Sequence, residues 1–304
     1  MSEASDTPAD PGAGLPLVLV AGLGGFVGRR LAHVAAQSAP GRVVPIARAD
    51  AVEELIAARR RHPDRTLALL LLSWPGLERT GATTQSPPLG EEAWAAFAEW
   101  VAAMAAAAAA NRITVWGVGS GIESVTAGSS PEVGEPYLSY GRRKAEILAL
   151  LRRQPGLTVN WLRLHFLFGP GEAEHRFVPS AIRAAASGTA LPLGAPARLR
   201  HWLHVDDAAR FLLQAIDEDW AGEWDIAGPE PVSFADFCGV IGTAVGAPLQ
   251  IVPPASPGAD AHCPLVPARR LPAFVPPDAG SLAYLLDRLR TDPRLPGGSG
   301  PRTG

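Results

Sequence analysis

The sequence predicts a doubly wound α/β protein, a parallel sheet covered by helices on both faces, with a smaller C-terminal lobe. Three observations predict it. Short apolar runs alternate with helical stretches between residues 15 and 166. A glycine cluster lies between the first apolar run and the first helix. After Gly169-Pro170-Gly171 the alternation loosens and Pro and Gly become frequent.

Residues 15–21 form an almost unbroken apolar run ending in glycine, the pattern of a strand buried on both faces. A helix over 26–36, a strand over 42–47 and a helix over 52–61 follow. The last carries Glu53 and Glu54 early and arginines late, as the helix dipole favours. Residues 66–72 read as a third strand, 91–110 as a long Ala-rich helix and 113–118 as a strand. A helix over 137–153 and a strand over 158–166 complete the alternation, and right-handed crossovers then wind the sheet in both directions. Further on, Asp206-Asp207 is expected to cap a helix over 208–216. The expected division is a disordered tail over 1–14, the sheet unit over 15–168, the smaller lobe over 169–292 with segments returning to the sheet, and a flexible tail over 293–304.

Composition narrows the function. A net charge of −3 leaves no basic footprint for nucleic acid. The polar N-terminus has neither the positive nor the apolar region of a signal peptide. The 91–110 stretch reads as too weakly apolar for a membrane span, so a cytoplasmic protein with no membrane partner is expected. Cys238 and Cys263 lack metal or redox spacing. His165, His201 and His204 lack the pairing of metal ligands, so no metal is expected.

The glycine cluster runs Gly22-x-Gly24-Gly25-Phe26-Val27-Gly28. Here Gly22 permits a tight turn, Gly25 lets backbone approach a pyrophosphate, and Gly28 lets helix and strand pack closely. The N–H groups of the following helix N-terminus face the phosphates. Such a loop at the first strand-to-helix junction points to dinucleotide binding in a Rossmann sheet. The second strand ends at Ala47-Arg48 with no acidic residue to take a ribose hydroxyl. Arg48 there favours a 2′-phosphate, hence NADP, with NAD possible.

Tyr140 and Lys144 stand at i and i+4 on one helix face. A phenol is a poor acid or base at neutral pH, and the neighbouring ammonium is expected to lower its pKa. Lys144 is the only lysine in the chain, and tyrosine is also rare: Tyr137, Tyr140 and Tyr284. Ser120, at the end of the 113–118 strand, is placed to hydrogen-bond a substrate carbonyl. Trp74, just past a strand C-terminus, is the tryptophan expected nearest a cofactor.

With these pieces in order, the chain resembles an extended short-chain dehydrogenase/reductase of the NAD-dependent epimerase/dehydratase, or nucleotide-sugar, family. The resemblance rests on Gly22-x-x-Gly25-Phe26-x-Gly28, Ser120, Tyr140-x-x-x-Lys144, Leu162-Arg163, Phe168-Gly169-Pro170-Gly171, Arg200 to Asp207, and Asp225-Ile226-Ala227-Gly228. It implies that Gly22, Gly24, Gly25, Phe26, Val27, Gly28, Arg48, Leu72, Tyr140 and Lys144 hold the cofactor. It further implies that Ser120, Tyr140 and Arg200 meet the substrate, with Arg200 near the sugar-nucleotide phosphates. The later lobe would bind substrate, and the two long helices would pair two copies as a homodimer.

Three departures shape the expected reaction. The usual strand carrying an acidic residue near adenine, between the second and fourth strands, is missing, and a helix runs straight from Ala51 to Pro63. Ser120 is followed by Gly121-Ile122 rather than the acid pair that dehydration needs. Phe166 replaces a sugar-contacting asparagine. The expected activity is NAD(P)H-dependent ketoreduction of a keto-sugar nucleotide such as a 4-keto-6-deoxyhexose. An NAD-dependent epimerase and a catalytically silent NAD(P)-binding regulator are the alternatives.

Overall fold

A computed structural model describes residues 14–74, 90–124, 135–254 and 280–295, with side chains in the helix that begins at Glu135 described from residue 139. The chain runs β1 (Leu17–Ala21), α1 (Phe26–Ser38), β2 (Val43–Ile46), α2 (Ala51–Arg61), β3 (Leu67–Leu71), α3 (Glu91–Ala110) and β4 (Thr114–Ser120). A 3-10 turn over Gly121–Ser124 precedes α4 (Glu135–Arg152) and β5 (Val159–Leu164). Then come β6 (Phe166–Phe168), α5 (Phe177–Ser187), β7 (Leu191–Pro192), β8 (Leu199–Arg200), β9 (Trp202–His204) and α6 (Val205–Asp217). β10 (Glu223–Ile226), β11 (Val232–Ser233), α7 (Phe234–Val245), β12 (Ile251–Val252) and α8 (Ser281–Arg290) follow.

Six strands form one sheet in the order β10-β5-β4-β3-β1-β2, and every pairing in it is parallel. This is the expected Rossmann-type, doubly wound sheet. β1 lies between β2 and β3, so the winding reverses there, and open α/β sheets bind ligands at the carboxyl ends of strands at such a point. α2 leads straight from β2 to β3, leaving β2 at the edge, so among the described residues the strand that the sequence lacks is missing from the sheet as well. β10 returns from the later part of the chain to pair with β5.

Strands buried on both faces feed two cores. Val18, Val20, Leu70 and Leu162 pack with Leu31 of α1 and Leu212 of α6. Leu19 and Leu69, pointing the other way, pack with Leu55 of α2, Phe97 and Met104 of α3 and Leu151 of α4. This alternation explains why β1 and β3 are apolar at every position.

Several local expectations are corrected. α3 is long and apolar enough to cross a membrane, contrary to the reading from its sequence. It nevertheless buries Trp94, Phe97, Val101 and Met104 in the core. β4 extends to Ser120 itself, and the 158–166 run breaks at His165, with β6 pairing β9 outside the main sheet. α6 begins three residues early because His204 is its cap: Nδ1 accepts the Asp206 N–H at 3.3 Å. Asp206 and Asp207 therefore occupy the first turn, where the dipole favours carboxylates. Arg30 grips Asp206 at 2.5 and 2.8 Å. Asp207 accepts from Tyr284, Arg288 and Arg210 at 2.7 to 2.9 Å. Packing continues to Leu295, buried in the core, past the point where a flexible tail was expected. The tails over 1–13 and 296–304 lie outside the described residues, as does Cys263.

Candidate active site

The glycine loop lies at the switch between β1 and β3. Gly22 has φ +100°, and a Cβ on it would stand 2.7 Å from the Ser73 backbone nitrogen. A Cβ on Gly28 would stand 2.5 Å from the Gly22 carbonyl oxygen, so any side chain there forces α1 away from the loop. The Ala21 carbonyl accepts both Leu72 N–H and Ser73 N–H at 2.9 Å, which locks the end of β3 against the turn. Gly24 has open space where a side chain would be, and Gly25 caps α1 with no side-chain bond. A backbone cradle at a helix N-terminus with no side chain filling it fits a pyrophosphate. Arg29 ties this loop to the turn after β6, donating to Gly24 O at 2.6 Å and Gly171 O at 3.4 Å. Arg48 is exposed at the tip of β2, its guanidinium 5.5 Å from the Trp100 ring and 5.7 Å from Phe97.

The structure brings Ser120, Tyr140 and Lys144 together. Ser120 ends β4, while α4 crosses above it closely enough that a Cβ on Gly141 would lie 2.8 Å from the Ile122 carbonyl oxygen. The Ser120 side chain lies beside the Tyr140 phenol and acts to lower its pKa. Lys144 is buried, and its Nζ donates to Val118 O at 2.8 Å. That ammonium sits 4.2 Å from the Trp74 ring and 5.9 Å from the Tyr140 ring. Trp74 meets Tyr140 edge-on at 5.3 Å, so the tryptophan expected near a cofactor packs against both.

The electrostatics correct the expectation for the phenol. Burial first, and then the carboxylate of Glu123, push the Tyr140 pKa well above the ordinary phenol range; Arg176 and the Ser120 side chain act against this. Burial pushes Lys144 down to about 8, against the pull of Glu123. A helical turn of separation brings the ammonium to 5.9 Å from the phenol ring, but what opposes burial comes from Arg176 and Ser120, not from the lysine that was expected to favour phenolate.

Glu123 was missed by sequence reasoning. Its Oε1 accepts the Ser120 backbone N–H at 2.6 Å, and its Oε2 accepts Trp161 Nε1 at 2.8 Å and Arg163 Nε at 3.0 Å. The signal was a pairing of small with large on neighbouring strands. Gly117, Gly119 and Gly121 line one face of β4 and the turn, where Cβ atoms would clash with Trp161, Glu123 and His165 at 2.2 to 2.5 Å. Arg200, in contrast, is buried beside Phe166, its guanidinium 4.8 Å from that ring and its Nη1 donating to Leu199 O at 2.8 Å. Among the described residues, no group of three or more His, Cys, Asp or Glu is placed to hold a metal.

Residues 101–227 match the model of the NAD dependent epimerase/dehydratase family. This stretch is similar to that family. It runs from within α3 to the start of the loop after β10 and contains Ser120, Tyr140, Lys144 and Arg200. Two dTDP-4-dehydro-6-deoxy-D-allose reductases, from Streptomyces sp and Streptomyces bikiniensis, are each 30% identical over 112 residues, 35% of this chain. The chain spans about a third of the length of these curated relatives, 34%. A UDP-N-acetylglucosamine 4-epimerase from Methanobrevibacter ruminantium, in complex with UDP-N-acetylmuramic acid, shares the fold at TM-score 0.63 and 16% identity, over 91% of this chain and 97% of that one. A Thermus thermophilus UDP-glucose 4-epimerase in complex with NAD does so at TM-score 0.61 and 16% identity, over 90% and 98%.

Proposed function

We propose that this protein is an NAD(P)H-dependent ketoreductase acting on a keto-sugar nucleotide such as a 4-keto-6-deoxyhexose. The convergence of Ser120, Tyr140 and Lys144 at the carboxyl end of β4 carries the reading. A dihydronicotinamide, when bound, supplies hydride to the carbonyl carbon. Tyr140 gives its phenolic proton to the carbonyl oxygen, and Ser120 hydrogen-bonds that oxygen and orients it. Lys144 leaves Val118 and Trp74 to hold the cofactor ribose. Gly22, Gly24, Gly25, Phe26, Val27, Gly28 and Leu72 cradle the rest of the dinucleotide. A phenol held protonated by its surroundings suits proton donation, hence reduction, better than the proton abstraction with which epimerisation starts. The two reductases that match over 112 residues support the same substrate class.

Arg48, exposed on its aromatic bed, is the residue that favours NADP, and Arg200 is assigned to the substrate phosphates. The later lobe is assigned to substrate binding. The decisive assay is NADPH oxidation with a panel of 4-keto-6-deoxy sugar nucleotides. Turnover is expected, with Tyr140→Phe lowering it by about 10²–10⁴-fold; no turnover on any member overturns the reading. Thermal stabilisation by NADPH above that by NADH checks Arg48, and Arg48→Ala is expected to erase the difference.

A further inference from the structure

The proposed reaction makes no use of the buried ion pair beside the Ser120–Tyr140 contact. The Glu123 side chain is 3% exposed, and both its oxygens accept hydrogen bonds. All three partners, the Ser120 N–H, the Trp161 indole N–H and the Arg163 guanidinium, are donors, so the setting satisfies the ionised carboxylate. Space for it comes from Gly119, where a Cβ would lie 2.3 Å from Glu123 Oε1. Arg163 in turn binds Glu223, which also binds Arg152, so the network runs from the turn after β4 across β5 to the sheet edge.

Tyr140 faces charge from three directions: Glu123 on the turn, Arg176 ahead of α5, and Lys144 on its own helix. Glu123 faces Arg163 of β5 and, on α4, Lys144 and Tyr140. We propose that Glu123 is a positioning residue of this centre: its carboxylate fixes the turn that presents the Ser120 hydroxyl and, facing Tyr140, keeps the phenol in its proton-donating form. The inference rests on the catalytic reading of Tyr140. Removing the phenolic proton would set a second anion beside a buried carboxylate, where water screens little. In the reduction the carbonyl carbon takes hydride and its oxygen takes the phenolic proton. The carbonyl becomes an alcohol, the dihydronicotinamide is oxidised, and water then reprotonates the phenolate. Glu123 favours that last proton return. Burial raises the Glu123 pKa too, and the three donors oppose the rise.

The test is an ultraviolet titration of tyrosinate in the full, cofactor-free chain. Tyr140→Phe serves as the reference that removes the signal of Tyr137 and Tyr284. Glu123→Gln is expected to ionise Tyr140 about one pH unit earlier than wild type, and Glu123→Asp to restore the later ionisation. The alkaline limb of NADPH-dependent reduction should move down by the same amount, about a tenfold loss at a pH where wild type is still active. Identical titrations and pH profiles for wild type and Glu123→Gln overturn the inference, while an inactive Tyr140→Phe leaves the catalytic reading standing. Full turnover by Tyr140→Phe overturns both. The wild-type titration against the Tyr140→Phe reference covers a Glu123→Gln that fails to fold. Wild-type Tyr140 must ionise later than a free tyrosine, and ionisation at or below that value overturns the inference.

Discussion

Lys144, proposed to hold the cofactor ribose, is buried at the expense of the fold. Its ammonium is buried with a backbone carbonyl and an indole face for company, and burial pushes its pKa down to about 8. The folded state therefore binds fewer protons than the unfolded chain between about pH 8 and the ordinary lysine value near 10.4. The associated destabilisation is full below pH 8 and fades as pH rises through that window. Lys144→Met is accordingly expected to raise stability at pH 7, by up to about 3 kcal/mol, while abolishing stabilisation by NADPH. Denaturant melts with and without NADPH check both halves, and a less stable Lys144→Met contradicts the first. At this scale much was legible. One lysine in the chain, a turn away from a rare tyrosine, marks the pair before any coordinates exist. The direction of the phenol shift was not legible, because it depends on Glu123 and on water excluded by Trp74, neither of which shares a helix with Tyr140.

Elements meet here through glycines that leave no room for a side chain. Gly28 lies under the Gly22 and Leu23 backbone, with Cβ clashes at 2.5 and 2.6 Å, so Gly28→Ala must push α1 from the loop. A destabilisation of about 1–3 kcal/mol is expected, with a larger loss in dinucleotide affinity than in stability. Thermal melting and cofactor titration measure the two, and unchanged cofactor affinity would contradict the cradle. Gly119→Ala is the counterpart at β4: it drives a methyl into Glu123 and Trp161, both at 2.3 Å, and should disturb Ser120 without touching the glycine loop. The order of strands and helices was readable from apolar runs, since two-sided burial demands apolar residues at every strand position. Boundaries were less so. Nothing local distinguishes β6, which leaves the sheet to pair β9, from a continuation of β5.

The later part of the chain is fastened to the sheet unit by carboxylates at the start of α6. Asp206 holds Arg30 of α1, and Asp207 holds Tyr284 and Arg288 of α8. Asp207→Ala leaves the half-buried Arg288 guanidinium and the buried Tyr284 hydroxyl without their acceptor, a loss of about 1–3 kcal/mol. Hydrogen exchange should then show α8 opening well before β1, and α8 protected as in wild type would refute the latch. The homodimer proposed through α3 and α4 belongs to this scale too. Sedimentation at micromolar concentration is expected to give twice the chain mass, and a single-chain mass would refute it.

The sequence alone determined the alternating α/β pattern, the glycine turn and the phenol–ammonium pair, because each is encoded within one turn or one strand. Periodicity and steric need act locally, so they can be read locally. Only the tertiary structure decided the sheet order, the seating of Lys144 on Trp74, and the burial of Glu123 against Arg163 beside Ser120. Those depend on which strands become neighbours and which groups lose water together, and both are properties of the packed whole.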